Sequence, residues 1–222
     1  MKGAFVEQLI HDPRITADRI VTIAVDIQKD FCEGGSLAVP QGDEIVQPMN
    51  EVMVYTRENG GTVIATRDWH PEETPHFEKW PKHCVEGTEG AEFHPALDLK
   101  PEDIIISKGM GQTDGYSGVE GISDDGRTIE QIVQPRNSKE RVIVALGGLA
   151  TDYCVKATVI DTANMFKDDE RVTVVFIRDA MRAVNLDAED EARAIQAMEQ
   201  AGAIALTSEQ IRSGYIEFAE AA

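Results

Sequence analysis

Three residues of unlike type each stand where an apolar run gives out. Asp26 closes "VTIAVD", Lys108 closes "DIIISK", and Cys154 follows "VIVALGGLATDY". Singly, each has a bland reading. A carboxylate after a strand commonly caps a helix, a lysine there is commonly surface, and a free cysteine is commonly small core. Together they suit one kind of chemistry, with a thiol nucleophile, a carboxylate to take and return its proton, and an ammonium to keep that carboxylate ionised. Cys154 also opens an amphipathic run, with Val155, Thr158, Val159 and Thr162 at helical spacing. A thiol at a helix start feels the positive end of the backbone dipole, which is expected to lower its pKa. The outward-facing amides there can receive an oxyanion.

A second group lies in "TRDWHPEETPHFEKWPKHCVEG". Of the five histidines in the chain, all but one (His70, His76, His83 and His94) fall between Asp68 and Lys100. In extended chain, residues two apart point to one side, so Asp68 and His70 can face one ion. His83 can supply a third vertex and His76 a fourth. Imidazoles with a carboxylate suit zinc, iron or manganese, and three protein ligands leave the open position of a catalytic site. The competing reading is histidines scattered in a polar loop. His94, in "FHP", reads as structural. Phe31, Trp69 and Trp80 lie close by in sequence and could wall a flat, apolar substrate.

These residues need a scaffold that gathers strand ends. Strands are expected over Ile20 to Gln28, Gly61 to Trp69, Asp103 to Gly109, and in "RVIVALGG", "RVTVVFIRD" and "AIALTS". Between them fall helical patterns: "GDEIVQPMNEVMVYTREN", broken or kinked near Pro48, a short helix at Thr128 to Val133, the helix after Cys154, and "DAEDEARAIQAMEQAG". Apolar strands alternating with helices mean βαβ units and a largely parallel sheet buried on both faces. In such sheets ligands bind at the carboxyl ends of the strands, where all three chemical groups fall. The stretch from His70 to Lys100 is too long for an ordinary connection, and loops of that size are usually functional.

The chain of 222 residues, 42% hydrophobic, suits one large domain. A formal net charge of -19 argues against a nucleic-acid partner and against docking on anionic lipid. "MKGAFVEQLIHDPRITADRI" has no apolar h-region, and nowhere is there the run of roughly 18 apolar residues that a membrane span needs. Cys32, Cys84 and Cys154 form no close-set pair, so a cytoplasmic protein is expected. Nothing in the composition opposes a homo-oligomer.

"VDIQKDFCEGGSLAV", "TRDWHPEETPHF", "WPKHCVEGTEGAEFHP", "KG" before "YSGVEG", and "GGLATDYCV" together resemble the nicotinamidase/pyrazinamidase branch of the isochorismatase-like cysteine hydrolases. The match runs from about Ile20 to the end of the chain, with five motifs in order. The resemblance implies an α/β three-layer sandwich, a six-stranded parallel sheet flanked by helices. It implies a catalytic triad of Asp26, Lys108 and Cys154, and one divalent metal ion per chain held by Asp68, His70 and His83, with His76 a more variable fourth. It implies a cis peptide at Leu149–Ala150, an oxyanion hole from the Ala150 and Cys154 amides, and a pocket that takes in Phe31, Trp80, Tyr116 and Leu149. The activity implied is hydrolysis of nicotinamide to nicotinate and ammonia through a cysteine thioester, in NAD salvage, with pyrazinamide a second candidate substrate. Val119, where the family often has an aromatic, and a longer Met110 to Gly115 loop bear on substrate preference. The resemblance leaves 1–18 as an N-terminal extension packed on the body or on a neighbouring subunit, and 19–222 as a single hydrolase domain. The rivals are a carbamoyl or ureido amidase on the same fold, which generally lacks the metal ligands, a metal-hydroxide hydrolase with an incidental cysteine, and a non-catalytic binding protein.

Overall fold

The computed structural model describes residues 14–111 and 114–218. Its principal elements are β1 (Ile15–Ala17), β2 (Arg19–Val25), α1 (Val46–Glu58), β3 (Thr62–Asp68), β4 (Ile104–Lys108), β5 (Ile122–Ser123) and α2 (Ile129–Val133). There follow β6 (Val142–Leu149), α3 (Lys156–Met165), β7 (Val172–Arg182), α4 (Asp190–Gln200), β8 (Ile204–Leu206) and β9 (Ile216–Phe218). The main sheet runs β5-β4-β3-β2-β6-β7-β8. Every pairing is parallel except β4 with β5. The sheet therefore has seven strands, not six: the expected parallel six, plus a two-residue antiparallel strand at the edge.

The continuous apolar runs follow from burial on both faces. Along β2, Ile20 and Ala24 join Met49, Val52 and Met53 of α1 in one cluster. Val21, Ile23 and Val25 join Val155 and Val159, at the start of α3, in the other. Alternate residues enter opposite cores, so no position on the strand can be polar without a partner. Thr22 meets that requirement with Thr56 of α1, their hydroxyls 2.5 Å apart. Arg19 does so by ion-pairing with Glu140 and donating to the Ile132, Val133 and Gln134 carbonyls that α2 leaves open at its end.

Pro48 neither breaks nor kinks α1. A 3₁₀ turn over Gly42–Ile45 leads into α1, and Pro48 stands within its first turn, where a backbone N–H has no intrahelical acceptor to lose. Of the extension expected over 1–18, residues 1–13 lie outside the described residues, while β1 pairs in parallel with β9, forming a separate two-stranded sheet.

The long stretch after β3 is tied down at several points. His70 bridges Val85 and Phe93 bridges Gln28. The Asp30 carboxylate accepts the Cys84 and Ser36 amides, joining the loop after β2 to the middle of this stretch. Among the described residues no helix is long and apolar enough to cross a membrane.

Candidate active site

Four neighbouring strands deliver the chemistry at one edge. In the order β4-β3-β2-β6, their carboxyl ends carry Lys108, Asp68, Asp26 and the Leu149–Ala150 turn that leads to Cys154. Asp68 and Lys108 are paired in register. Directly after β2 the chain turns through a left-handed conformation at Asp26, φ 49°, a costly geometry for a residue with a Cβ. The turn is held by the Asp26 amide bonding to the Thr66 carbonyl and by Thr66 Oγ1 donating to Asp26 Oδ1 at 2.6 Å. On the other side, β6 crosses close to β2 at Gly148. A Cβ there would fall 2.0 Å from the Val25 carbonyl oxygen, so only glycine fits.

The three residues read as a catalytic group come together. Lys108 Nζ lies 2.7 Å from Asp26 Oδ2, 2.5 Å from Asp68 Oδ1 and 3.4 Å from Cys154 Sγ, and donates to the Gly115 carbonyl at 2.9 Å. One carboxylate oxygen each from Asp26 and Asp68 and the Cys154 sulfur lie within 4.8 Å of one another. All four side chains are buried. Burial alone would neutralise Lys108, but Asp26 and Asp68 hold it charged, its pKa well above the ordinary lysine value. Burial likewise works against Asp68, yet Lys108 keeps its carboxyl far below the usual range. At Asp26 burial wins over the pull of Lys108, with Asp68 adding to the rise, and the carboxyl is pushed up to about 6.

Cys154 departs from expectation in two ways. It sits in a π-helical turn, Thr151–Val155, ahead of α3 proper, a distortion that recurs at functional sites. Its thiol is not lowered but raised well above the ordinary value, because burial and the two carboxylates outweigh Lys108 and the helix start. A thiol so raised is neutral at rest, and the neighbouring Asp26 carboxylate is a group that could take its proton and make it a nucleophile.

The loop histidines also converge. One ring nitrogen from each of His70, His76 and His83 lies within 4.8 Å of the other two, and Asp68 Oδ2 is 3.6 Å from His70 Nε2. Each Nδ1 is already engaged: His70 with the Gly109 carbonyl at 3.0 Å, His83 with the Pro81 carbonyl at 2.7 Å, His76 with Asp114 Oδ1 at 2.9 Å. Carbonyls and carboxylates only accept, so the Nδ1 atoms carry the protons and the Nε2 lone pairs are free. His70 Nε2 is buried with no hydrogen-bond partner. Burial lowers His76 and takes His83 down to about 4, so these rings stay neutral. Imidazoles turned toward one another, with an orphaned buried ring nitrogen and an ionised carboxylate alongside, are the donor set of a divalent metal.

Cys32, Asp43 and His94 form another compact group. There His94 Nδ1 accepts the Ala96 amide at 3.2 Å and Nε2 points its proton at Asp43, so His94 is structural, as its context suggested.

Beside the Cys154 sulfur lies a cleft whose lining includes Asp68, His76 and His83. Phe31, Trp80 and Tyr116, three of the residues named for the pocket, line it, as does Ala150. Trp80 donates its indole N–H to the Tyr116 hydroxyl at 3.0 Å. Two expectations for the pocket wall are corrected. Trp69 lies off the cleft, covered by the Arg67 guanidinium 3.8 Å above its ring. Leu149 packs in the core and is not among the residues that line the cleft. Its peptide bond to Ala150 is cis. Leu37, Val39, Tyr153 and Val184 are walls that the sequence did not disclose. Asp152 accepts the Val184 and Asn185 amides and so draws the end of β7 over the site. Gln28, fully buried, brackets the Asp68 backbone, accepting its N–H and donating to its carbonyl. A larger open groove of about 1300 Å³ along α1 contains no cysteine.

The sequence matches the isochorismatase domain over residues 21–210. It is 35% identical to the nicotinamidase of Escherichia coli K12 over 209 residues, 83% of this chain and 93% of that one. The pyrazinamidase of Pyrococcus horikoshii, crystallised with zinc, superposes with a TM-score of 0.72 at 37% identity, covering 85% of this chain and 98% of the other. A protein of L. infantum crystallised with nicotinate gives 0.71 at 29% identity over 92% and 98%. With a match across most of its length and relatives of this identity, the chain belongs to the isochorismatase family of hydrolases, in its nicotinamidase/pyrazinamidase branch.

Proposed function

We propose that this chain hydrolyses nicotinamide to nicotinate and ammonia through a thioester on Cys154. The observation that carries the reading is the meeting of Cys154, Asp26 and Lys108 beside an aromatic cleft whose wall also includes Asp68, His76 and His83, two of the three clustered imidazoles. The relatives act in the same sense: one is a nicotinamidase, another a pyrazinamidase with zinc, a third holds nicotinate.

Asp68, His70, His83 and His76 would hold a divalent ion. When bound it supplies a Lewis-acid seat for the pyridine nitrogen. Phe31, Trp80 and Tyr116 bury the ring faces, and this fixes the carboxamide carbon beside the sulfur. Asp26 takes the Cys154 proton and the thiolate attacks the carbonyl carbon, whose oxygen becomes an oxyanion received by the Ala150 and Cys154 amides. Asp26 returns the proton to the nitrogen, the C–N bond breaks, ammonia leaves, and the nicotinoyl group remains on sulfur. Asp26 next deprotonates a water, which attacks the thioester. The C–S bond breaks, nicotinate departs, and the proton goes back to the sulfur. Lys108 holds Asp26 in place and offsets the negative charge that builds at each stage. The three cysteines are free and buried, which fits work in a reducing, cytoplasmic setting and NAD salvage.

The test is ammonia release from nicotinamide by purified protein, with and without chelator. Removing the ion should lower kcat/KM by roughly 100-fold or more, since such a contact is worth several kcal/mol, and added zinc should restore it. No release from nicotinamide, with no ion bound, favours the carbamoyl amidase reading.

A pH dependence follows from Asp26. The base must be ionised, and its carboxyl, raised by burial to about 6, protonates as pH falls through that value. We expect kcat/KM to fall about tenfold per pH unit below about 6. The His83 ring, neutral down to about 4, does not produce this limb. A profile flat to pH 4.5 would remove Asp26 from the role of base.

A further inference from the structure

The three imidazoles of the metal centre are not held alike. His70 and His83 give their Nδ1 protons to main-chain carbonyls, whereas His76 gives its proton to a side chain, the Asp114 carboxylate, at 2.9 Å. His76 is itself buried, and it enters the site from a 3₁₀ turn in the long loop, Pro75–Glu78, rather than from a strand end. Its ring direction therefore depends on what grips Nδ1.

The grip comes from a segment with a wider reach. Between β4 and the pocket wall, Gly109 holds the His70 ring, Asp114 the His76 ring, the Gly115 carbonyl Lys108 Nζ at 2.9 Å, and the Tyr116 hydroxyl the Trp80 indole. One short stretch of chain thus touches the metal centre, the catalytic lysine and the ring pocket. Among the described residues of that stretch, Asp114 makes the ionised contact with the imidazoles, and its second oxygen accepts Lys79 Nζ at 2.7 Å.

We propose that Asp114 is a positioning residue of the metal centre: by accepting the His76 Nδ1 proton it fixes the tautomer and rotation that aim Nε2 at the ion, and so sets the affinity for metal. The inference rests on the reading of Asp68, His70, His76 and His83 as ligands. A carboxylate on the far nitrogen of a ligating imidazole raises its basicity and removes rotational freedom, and losing such a partner typically costs roughly 10- to 100-fold in metal affinity. The alternative is that Asp114 merely pairs with Lys79 at the surface, an exposed contact of little worth.

The test is zinc titration of apoprotein against a chromophoric chelator, which reads affinity without turnover. Asp114→Ala and Asp114→Leu, neither offering an acceptor, should weaken zinc by roughly 10- to 100-fold, with folding checked by circular dichroism. Lys79→Ala should stay within about twofold of wild type. Because Asp114 acts through His76, the double variant with His76→Ala should bind no more weakly than His76→Ala alone. Wild-type affinity in whichever Asp114 variant folds, or an undiminished Asp114→Ala effect in the His76→Ala background, overturns the role of Asp114 and leaves the centre standing. Zinc affinity unmoved by both His70→Ala and His76→Ala overturns the ligand assignment and this inference with it.

Discussion

Cys154→Ala lowers kcat/KM for nicotinamide by about 10⁴-fold or more, while the protein still folds and still binds metal. The size of the loss follows from the absence of a substitute nucleophile. Cys32 and Cys84 are both buried. Burial, with Asp43, pushes the Cys32 thiol up to about 12, and burial with neighbouring carboxylates raises Cys84 further still. The thiol of Cys154 is raised as well, but it alone of the three adjoins both a base poised near neutrality and an ammonium 3.4 Å away. Metal retention separates this variant from a folding defect, because the ligands come from the ends of β3 and the long loop, not from the Cys154 turn. Amidase activity near the wild-type level in Cys154→Ala would transfer the attack to metal-bound hydroxide and leave the cysteine incidental.

Lys108→Met damages both fold and chemistry. Lys108 is fully buried between Asp26 and Asp68. Methionine of similar length fills the space but leaves two carboxylates facing each other without a cation. Breaking a buried pair from one side costs about 3–5 kcal/mol, which for a chain of this size lowers Tm by roughly 10 °C. The chemical loss has a definite sign. Lys108 pulls the Asp26 pKa down and Asp68 pushes it up, so without the ammonium Asp26 rises above about 6 and is protonated at neutral pH. A protonated Asp26 cannot take the thiol proton, and kcat/KM should fall by about 10²- to 10⁴-fold, the usual worth of a general base. Thermal melting and steady-state kinetics at pH 7 check the two halves. Wild-type activity in a destabilised Lys108→Met protein would show that the lysine is structural only.

The parts of this site legible in the sequence are those where polarity interrupts an apolar pattern. Asp26, Lys108 and Cys154 stand out because each stands at or just beyond the end of an apolar run, those of β2, β4 and β6. The histidines stand out because four crowd one loop, although spacing alone leaves His76 undecided and only the Nδ1 partners show it facing inward with the others. What cannot be read depends on where side chains point and what lies across space. Leu149 has the composition of a pocket wall but is buried in the core and does not line the cleft. Trp69 is close in sequence to His70 yet is screened by Arg67. Val184 and Asp114 reach the site from loops whose course no periodicity encodes, and Tyr153 from the π-helical turn before α3. The Cys154 shift runs opposite to the sequence expectation because a helix start is visible in sequence and complete burial is not. Pro48 falls in the first turn of α1 rather than at a break, since the 3₁₀ turn before it is too short to show a period. The strands β1, β5 and β9, each of three residues or fewer, carry too little pattern to register.

The central claim is that the acyl group passes through sulfur, and partitioning with hydroxylamine tests it most directly. An acyl-enzyme is attacked by hydroxylamine as well as by water whichever step limits the rate, so turnover of nicotinamide with added hydroxylamine should yield nicotinohydroxamate in proportion to its concentration, and Cys154→Ala should yield none. Nicotinate as the sole product at every hydroxylamine concentration, with ammonia release undiminished, would contradict the thioester and the account built on it.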